Sequence, residues 1–156
     1  MARSVILTLF VVFFVIVFYL YRGVPIHDIN VWSLERSFAR TNINHPKSVL
    51  LEKKTYLGGP DTHGSQRCVY AVGEMRVTPL KEDNIRQAYQ NITVKFGSKT
   101  YLPLKVFFVD GEDWPQELPF VMWQDKLLDM FKTENTVYIV YVSTEHPFLL
   151  DQRCDD

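Results

Sequence analysis

Few residues in this chain are spaced for chemistry. Four histidines, His27, His45, His63 and His146, are scattered without H-x-x-x-H or H-E-x-x-H spacing, so none are paired on a helix face to grip a metal. Cys68 follows Asp61 and His63 closely, which brings a carboxylate, an imidazole and a thiol near one another in sequence. A thiolate nucleophile needs its base close in space, and sequence closeness does not supply that, so Cys68 reads as a structural or crosslinked cysteine. Asp110, Glu112 and Asp113 surround Gly111 in an acidic turn. The turn lacks the spaced oxygen ligands of a calcium loop and reads as a solvated loop after a strand. There is no G-x-S-x-G elbow, Walker loop or dinucleotide fingerprint. No catalytic, metal-binding or cofactor-binding residue is assigned on these grounds, and no cofactor is implied.

Two other positions carry covalent chemistry. Cys154 lies in a polar tail, 151–156, which has no apolar face to pack it. A tail so near a terminus frays unless tied down, so a disulfide from Cys68 to Cys154 is the better reason for a cysteine there. Two free thiols, or a bridge between chains through Cys154, are the alternatives. Asn91-Ile92-Thr93 is an N-x-T acceptor, usable at Asn91 only in a secretory lumen.

The elements that hold these residues are legible from periodicity. Residues 48–57 and 66–77 read as strands, and 82–90 as a short surface helix. Asn30 can cap a helix over 31–39, with Val31, Leu34 and Phe38 at helical spacing; it reads as a stalk helix, with a surface-lying amphipathic helix as the alternative. Residues 92–96 and 99–109 flank Gly97-Ser98, the signature of a type II′ hairpin. That register sets Phe96 opposite Lys99, Val94 opposite Tyr101 and Ile92 opposite Pro103. A helix over 119–132 puts Phe120, Trp123, Leu127, Met130 and Phe131 on one face, with Met122 among Asp125, Lys126 and Asp129 on the other. Residues 106–109 and 137–142 are apolar on both faces, as central strands are. Strand, helix, strand reads as a parallel β-α-β crossover. The expected fold class is therefore α+β: a transmembrane helix, then one compact domain with a mixed β-sheet combining the hairpin and the crossover.

The transmembrane expectation rests on residues 5–21, seventeen residues with one weakly polar member, Thr8. A helix of that length covers about 25 Å, near the lower limit for a bilayer core. Tyr19 and Tyr21 suit an aromatic belt, and Phe18-Tyr19-Leu20-Tyr21-Arg22 offers no small-residue cleavage site, so an uncleaved signal-anchor fits better than a cleaved peptide. The organisation is then a tail at 1–4, an anchor at 5–21, a stalk at 22–47 and a domain at 48–156. Arg3 and Arg22 bracket the anchor and nearly balance, so the N-x-T acceptor and the cysteine pair decide the expected orientation, with the domain lumenal or outside.

Composition bounds the function classes. At 156 residues, 47% hydrophobic and 22% charged, the chain is neither a disordered tail nor a low-complexity linker. A net charge of -1 gives no global case for nucleic-acid binding. Residues 24–109 carry 12 Lys/Arg and 7 Asp/Glu (+5), whereas 110–156 carry 3 and 11 (-8), an asymmetry compatible with a basic side towards anionic lipid. The expected function is a non-catalytic, single-pass, membrane-anchored ectodomain. Its partners are the lipid bilayer and other membrane proteins of a complex, with no nucleic acid. In layout alone this is similar to small envelope entry and infectivity proteins of large DNA viruses; no motif carries the likeness. The alternative is a membrane-tethered enzyme. Loops beyond the C-terminal ends of parallel strands bind ligands, and a crossover would bring the acidic loop 110–114 and His146 to that end.

Overall fold

The computed structural model describes residues 2–21, 24–59, 67–109, 122–123, 135–147 and 154, with side chains described from 5 to 19 in the first helix and from 26 onward in the second. Helices α1 (Ala2–Tyr21) and α2 (Val24–Arg40) lead into strands β1 (Val49–Gly58) and β2 (Arg67–Thr78). Helix α3 (Glu82–Tyr89), the hairpin β3 (Thr93–Phe96) and β4 (Thr100–Pro103), and strands β5 (Lys105–Phe108) and β6 (Thr136–Pro147) follow.

The domain is α+β, built on a four-stranded sheet in the order β1-β2-β6-β5, with β3-β4 as a separate two-stranded ribbon. Every pair in the main sheet is antiparallel. The expected mixed sheet with a parallel crossover is thus corrected. Phe108 lies beside Tyr138 and Lys105 beside Tyr141, and the Val109 amide donates to the Val137 carbonyl. The chain leaves β5 and re-enters β6 at the same end of the sheet. Apolar periodicity reports that both faces of a strand are covered; it holds no information on strand direction.

Both faces are indeed covered. On one, Cys68, Tyr70, Val72, Tyr138, Val140 and Val142 pack with Leu34 and Phe38 of α2, Ile85 and Tyr89 of α3, and Val94 and Phe96 of the hairpin. On the other, Ala71, Met75, Val137, Ile139 and Tyr141 pack with Met122 and Trp123. The alternation along β2 and β6 follows from the two-residue period of a strand. Met122, expected on a polar helix face, is buried beside Trp123. Both residues are helical; Leu127, Phe131, Asp125 and Lys126 lie outside the described residues.

Two local expectations change. Helix α2 begins at Val24, so Asn30 sits inside it rather than capping it. His27 is the reason: it precedes Val31, Leu34 and Phe38 at helical spacing and extends the inward face by a turn. The hairpin loop holds three residues, Gly97 to Lys99, so Phe96 pairs with Thr100, Val94 with Leu102 and Thr93 with Pro103. Gly97 has φ +67°, a conformation that costs a glycine little. The one-residue shift turns Leu102 to the Val94 side and leaves Tyr101 62% exposed, which its amphipathic ring tolerates better than Leu102 would.

In α1, every side chain from Val5 to Tyr19 is exposed. Those fifteen residues cover about 22 Å at 1.5 Å per residue. Among the described residues no helix is long and apolar enough to cross a membrane.

Candidate functional site

Polar side chains gather on the α2–α3 face of the sheet, in two constellations. The first surrounds the disulfide. Cys68 and Cys154 are joined with their Cα atoms 5.1 Å apart, closing a separation of 86 residues. His27 reaches down from α2 beside this bond: its Nε2 lies 3.5 Å from Cys68 Sγ and its Nδ1 2.5 Å from the Tyr70 hydroxyl. All four residues are buried. A buried imidazole and phenol are tolerated because each satisfies the other. Among the described residues the imidazole near Cys68 is that of His27, and it faces an oxidised sulfur with no thiolate to activate. Asp61 and His63 lie outside the described residues.

The second constellation joins three elements. Tyr89 of α3 makes hydrogen bonds through its hydroxyl to His45 Nδ1 at 2.8 Å and to the Tyr138 hydroxyl at 2.9 Å. His45 Nε2 lies 3.5 Å from Glu74 Oε2. The Arg76 guanidinium pairs with that same carboxylate and donates from Nε to the Ser48 hydroxyl at 2.9 Å. One set of directions satisfies the chain: Tyr138 donates to Tyr89, Tyr89 donates to His45 Nδ1, and His45 Nε2–H points to Glu74. Burial and the neighbouring Arg76 charge hold the His45 imidazole below its ordinary value near 6.5, against the pull of Glu74. Burial and the bonded Tyr138 push the Tyr89 phenol well above the usual range, so it stays protonated. A neutral imidazole and a protonated phenol tie α3 and the segment before β1 to the sheet.

The side chains of the alternative enzymatic site, at loop 110–114 and His146, fall outside the described residues, and only its flanking backbone can be placed. Val109 sits at the end of the sheet where β6 begins, whereas His146 lies near the end of β6, in register with Cys68. From Tyr138 to His146 is eight strand residues, roughly 27 Å at about 3.4 Å each. Asp110, Glu112, Asp113 and Trp114 themselves, and the His146 side chain, lie outside the described residues. Among the described residues no three His, Cys, Asp or Glu side chains are grouped to hold a metal ion. Asn91 and Thr93 are both exposed at the start of β3, open to modification from solvent.

Two features escaped the reading of the sequence. One is the pairing of His27 and His45 with tyrosines, which only the sheet register creates. The other is a two-sided α2. Opposite its buried face, Ile26, Ile29 and Trp32 are 47%, 61% and 57% exposed, and the Arg36 guanidinium stacks on Trp32 at 5.1 Å. Beside its last turn a depression of about 360 Å³ is lined by Ser37, Arg40, Thr41, Lys95 and Gly97. The three-residue spacing of Ile26, Ile29 and Trp32 was the available signal. Compared with protein-family models, curated proteins and solved structures, the chain matches none.

Proposed function

We propose that the chain is a single-pass membrane protein, anchored by residues 5–21. Its stalk and domain lie on the lumenal or outer face and act as a non-catalytic subunit of a membrane or envelope protein complex. One observation carries this reading: from Val5 to Tyr19, α1 exposes apolar side chains on every side, with Thr8 the one weakly polar member. Leaving a large aliphatic or aromatic side chain in water forfeits about 1.5–3 kcal/mol, and this helix repeats that loss at nearly every position. Hydrocarbon removes it. Adding Leu20 and Tyr21 from the sequence gives a run of seventeen residues, at the short end of membrane spans.

The Cys68–Cys154 bond supports the outside orientation, because structural disulfides persist in oxidising compartments. Membrane integration is tested by alkaline carbonate extraction of full-length protein from its native membranes. Retention in the pellet is expected, and release into the supernatant overturns the anchor. Protease added to sealed cytosol-side-out vesicles should leave residues 48–156 intact; their digestion overturns the orientation. In a eukaryotic secretory host, glycosidase should shift the mobility of the wild type but not of Asn91→Gln. Purification in mild detergent should yield membrane partners in fixed stoichiometry, and a lone monomer would count against the complex.

A further inference from the structure

The exposed side of α2 has a composition that neither the core nor bulk water explains. Ile26, Ile29, Trp32, Arg36 and Arg40 recur at spacings of three and four along one face. The face runs opposite to His27, Leu34 and Phe38, which are buried. Its apolar part lies at the end that follows the apolar α1, with only Arg22 and Gly23 between the two helices in sequence. Its basic part lies at the far end. Of the carboxylates of α2, Asp28 is exposed one turn before Trp32 at the border of the stripe, and Glu35, on another side, is paired with Lys53 at 3.3 Å. Arg40 also borders the depression that holds Lys95 and the hydroxyl residues Ser37 and Thr41. From Ile26 to Arg40 the stripe is about 21 Å long.

From this arrangement we infer that α2 lies in the plane of the membrane interface and docks the domain onto the surface of an anionic bilayer. Isoleucines and Trp32 enter the boundary between headgroups and acyl chains, while Arg36, Arg40 and Lys95 meet lipid phosphates. The inference rests on the anchor of the reading above and not on its outside orientation, because anionic lipid is concentrated in the cytoplasmic leaflet. Two properties select this occupant over a protein groove. A tryptophan with a guanidinium stacked over it is amphipathic in the manner of interfacial residues, apolar in body and charged at the tip. The basic residues also continue the apolar stripe along its axis, so the same side of α2 offers apolar groups to the acyl boundary at one end and guanidinium groups to lipid phosphates at the other. An upright stalk would instead carry Arg40 about 21 Å beyond Ile26, out of reach of lipid phosphates, and would leave the side of Ile29 and Trp32 facing water.

Nitroxide accessibility in reconstituted vesicles tests this. Full-length protein is labelled singly at Ile29→Cys, Trp32→Cys, Phe13→Cys or Thr55→Cys, with the native disulfide checked by mass mapping. Vesicles contain phosphatidylcholine alone or with phosphatidylserine. At Ile29 and Trp32, collision with an aqueous nickel complex should fall at least about three-fold below that at the exposed β1 residue Thr55, and collision with oxygen should rise. The difference should grow in the anionic vesicles, and that growth should vanish in Arg36→Gln/Arg40→Gln protein. Labels at Ile29 and Trp32 as wet as Thr55, with Phe13 in lipid, would overturn the docking and leave the anchor standing. A wet Phe13 would overturn the anchor, and the docking with it. Growth unaffected by the arginine substitutions would overturn the phosphate contacts.

Discussion

The two faces of the main sheet are held by different means. On the α2–α3 face, hydroxyl and imidazole groups are threaded through the apolar core, and a disulfide closes one end. On the opposite face the packing is by shape. A Cβ added to Gly73 would stand 2.8 Å from Tyr141 Cβ, 2.9 Å from Trp123 Cη2 and 3.0 Å from the Val140 carbonyl oxygen, so the missing side chain is the space the indole occupies. Lys54 reaches across from β1 and donates to the Met122 carbonyl at 2.9 Å. The Trp123 Nε1 is buried with no hydrogen-bond partner among the described residues, so its ring packs there as an apolar body. Hydrogen bonds have directions, and they orient α2 and α3, which the surface of the domain depends on. Shape alone suffices for a face that has only to be closed.

That contrast can be broken from the apolar side first. Trp123→Ala should cost about 3–5 kcal/mol, read as a lowered denaturant midpoint with an unchanged slope. A cost near zero would mean that this face is not closed by Trp123. Joint replacement of Cys68 and Cys154 by alanine should cost about 2–5 kcal/mol, since it frees an 86-residue separation in the unfolded chain. Gly73→Ala should destabilise by about 1–3 kcal/mol through overpacking. In a Trp123→Leu background the same change should cost less, and strict additivity would show that the indole is not what fills the space.

On the polar side, Tyr89→Phe strands the partners His45 and Tyr138 and should cost about 1–2 kcal/mol. The smallest effect is pH dependence. The fold holds His45 below its ordinary value, so below about pH 6.5 the unfolded chain binds more protons than the folded one. The stability that neutral His45 brings is complete above that pH and is lost as pH falls. Thermal midpoints should decline from pH 7 towards pH 5, and His45→Gln should flatten that decline. An identical slope in the variant would assign the dependence to other groups.

Much of the scaffold was legible before folding. Strands at 48–57 and 66–77 and the helix at 82–90 match β1, β2 and α3 within a residue or two, because side-chain periodicity is a local property. The Cys68–Cys154 pair was legible too, since a cysteine in a polar tail has no packing reason to be there. Less of the polar site was visible. His27 lies one turn ahead of the expected helix at 31–39, although α2 itself begins at Val24, and His45 gives no local sign of Tyr89, 44 residues away.

The sequence by itself determined where the apolar helix lies, which segments become strands and helices, and which cysteines needed a partner. Each follows from the composition and spacing of a few neighbouring residues. Tertiary structure decided that β5 and β6 run antiparallel, that a three-residue loop turns Leu102 rather than Tyr101 towards Val94, and that both histidines of the network meet tyrosines. It also decided that α2 keeps a second, unburied face of isoleucine, tryptophan and arginine. These outcomes depend on strand direction, register and which helix covers which face. The strand directions and the histidine–tyrosine pairs are fixed by contacts between residues tens of positions apart, which no window of neighbouring residues contains. The hairpin register and the open face of α2 are local patterns whose outcome depends on what packs against them.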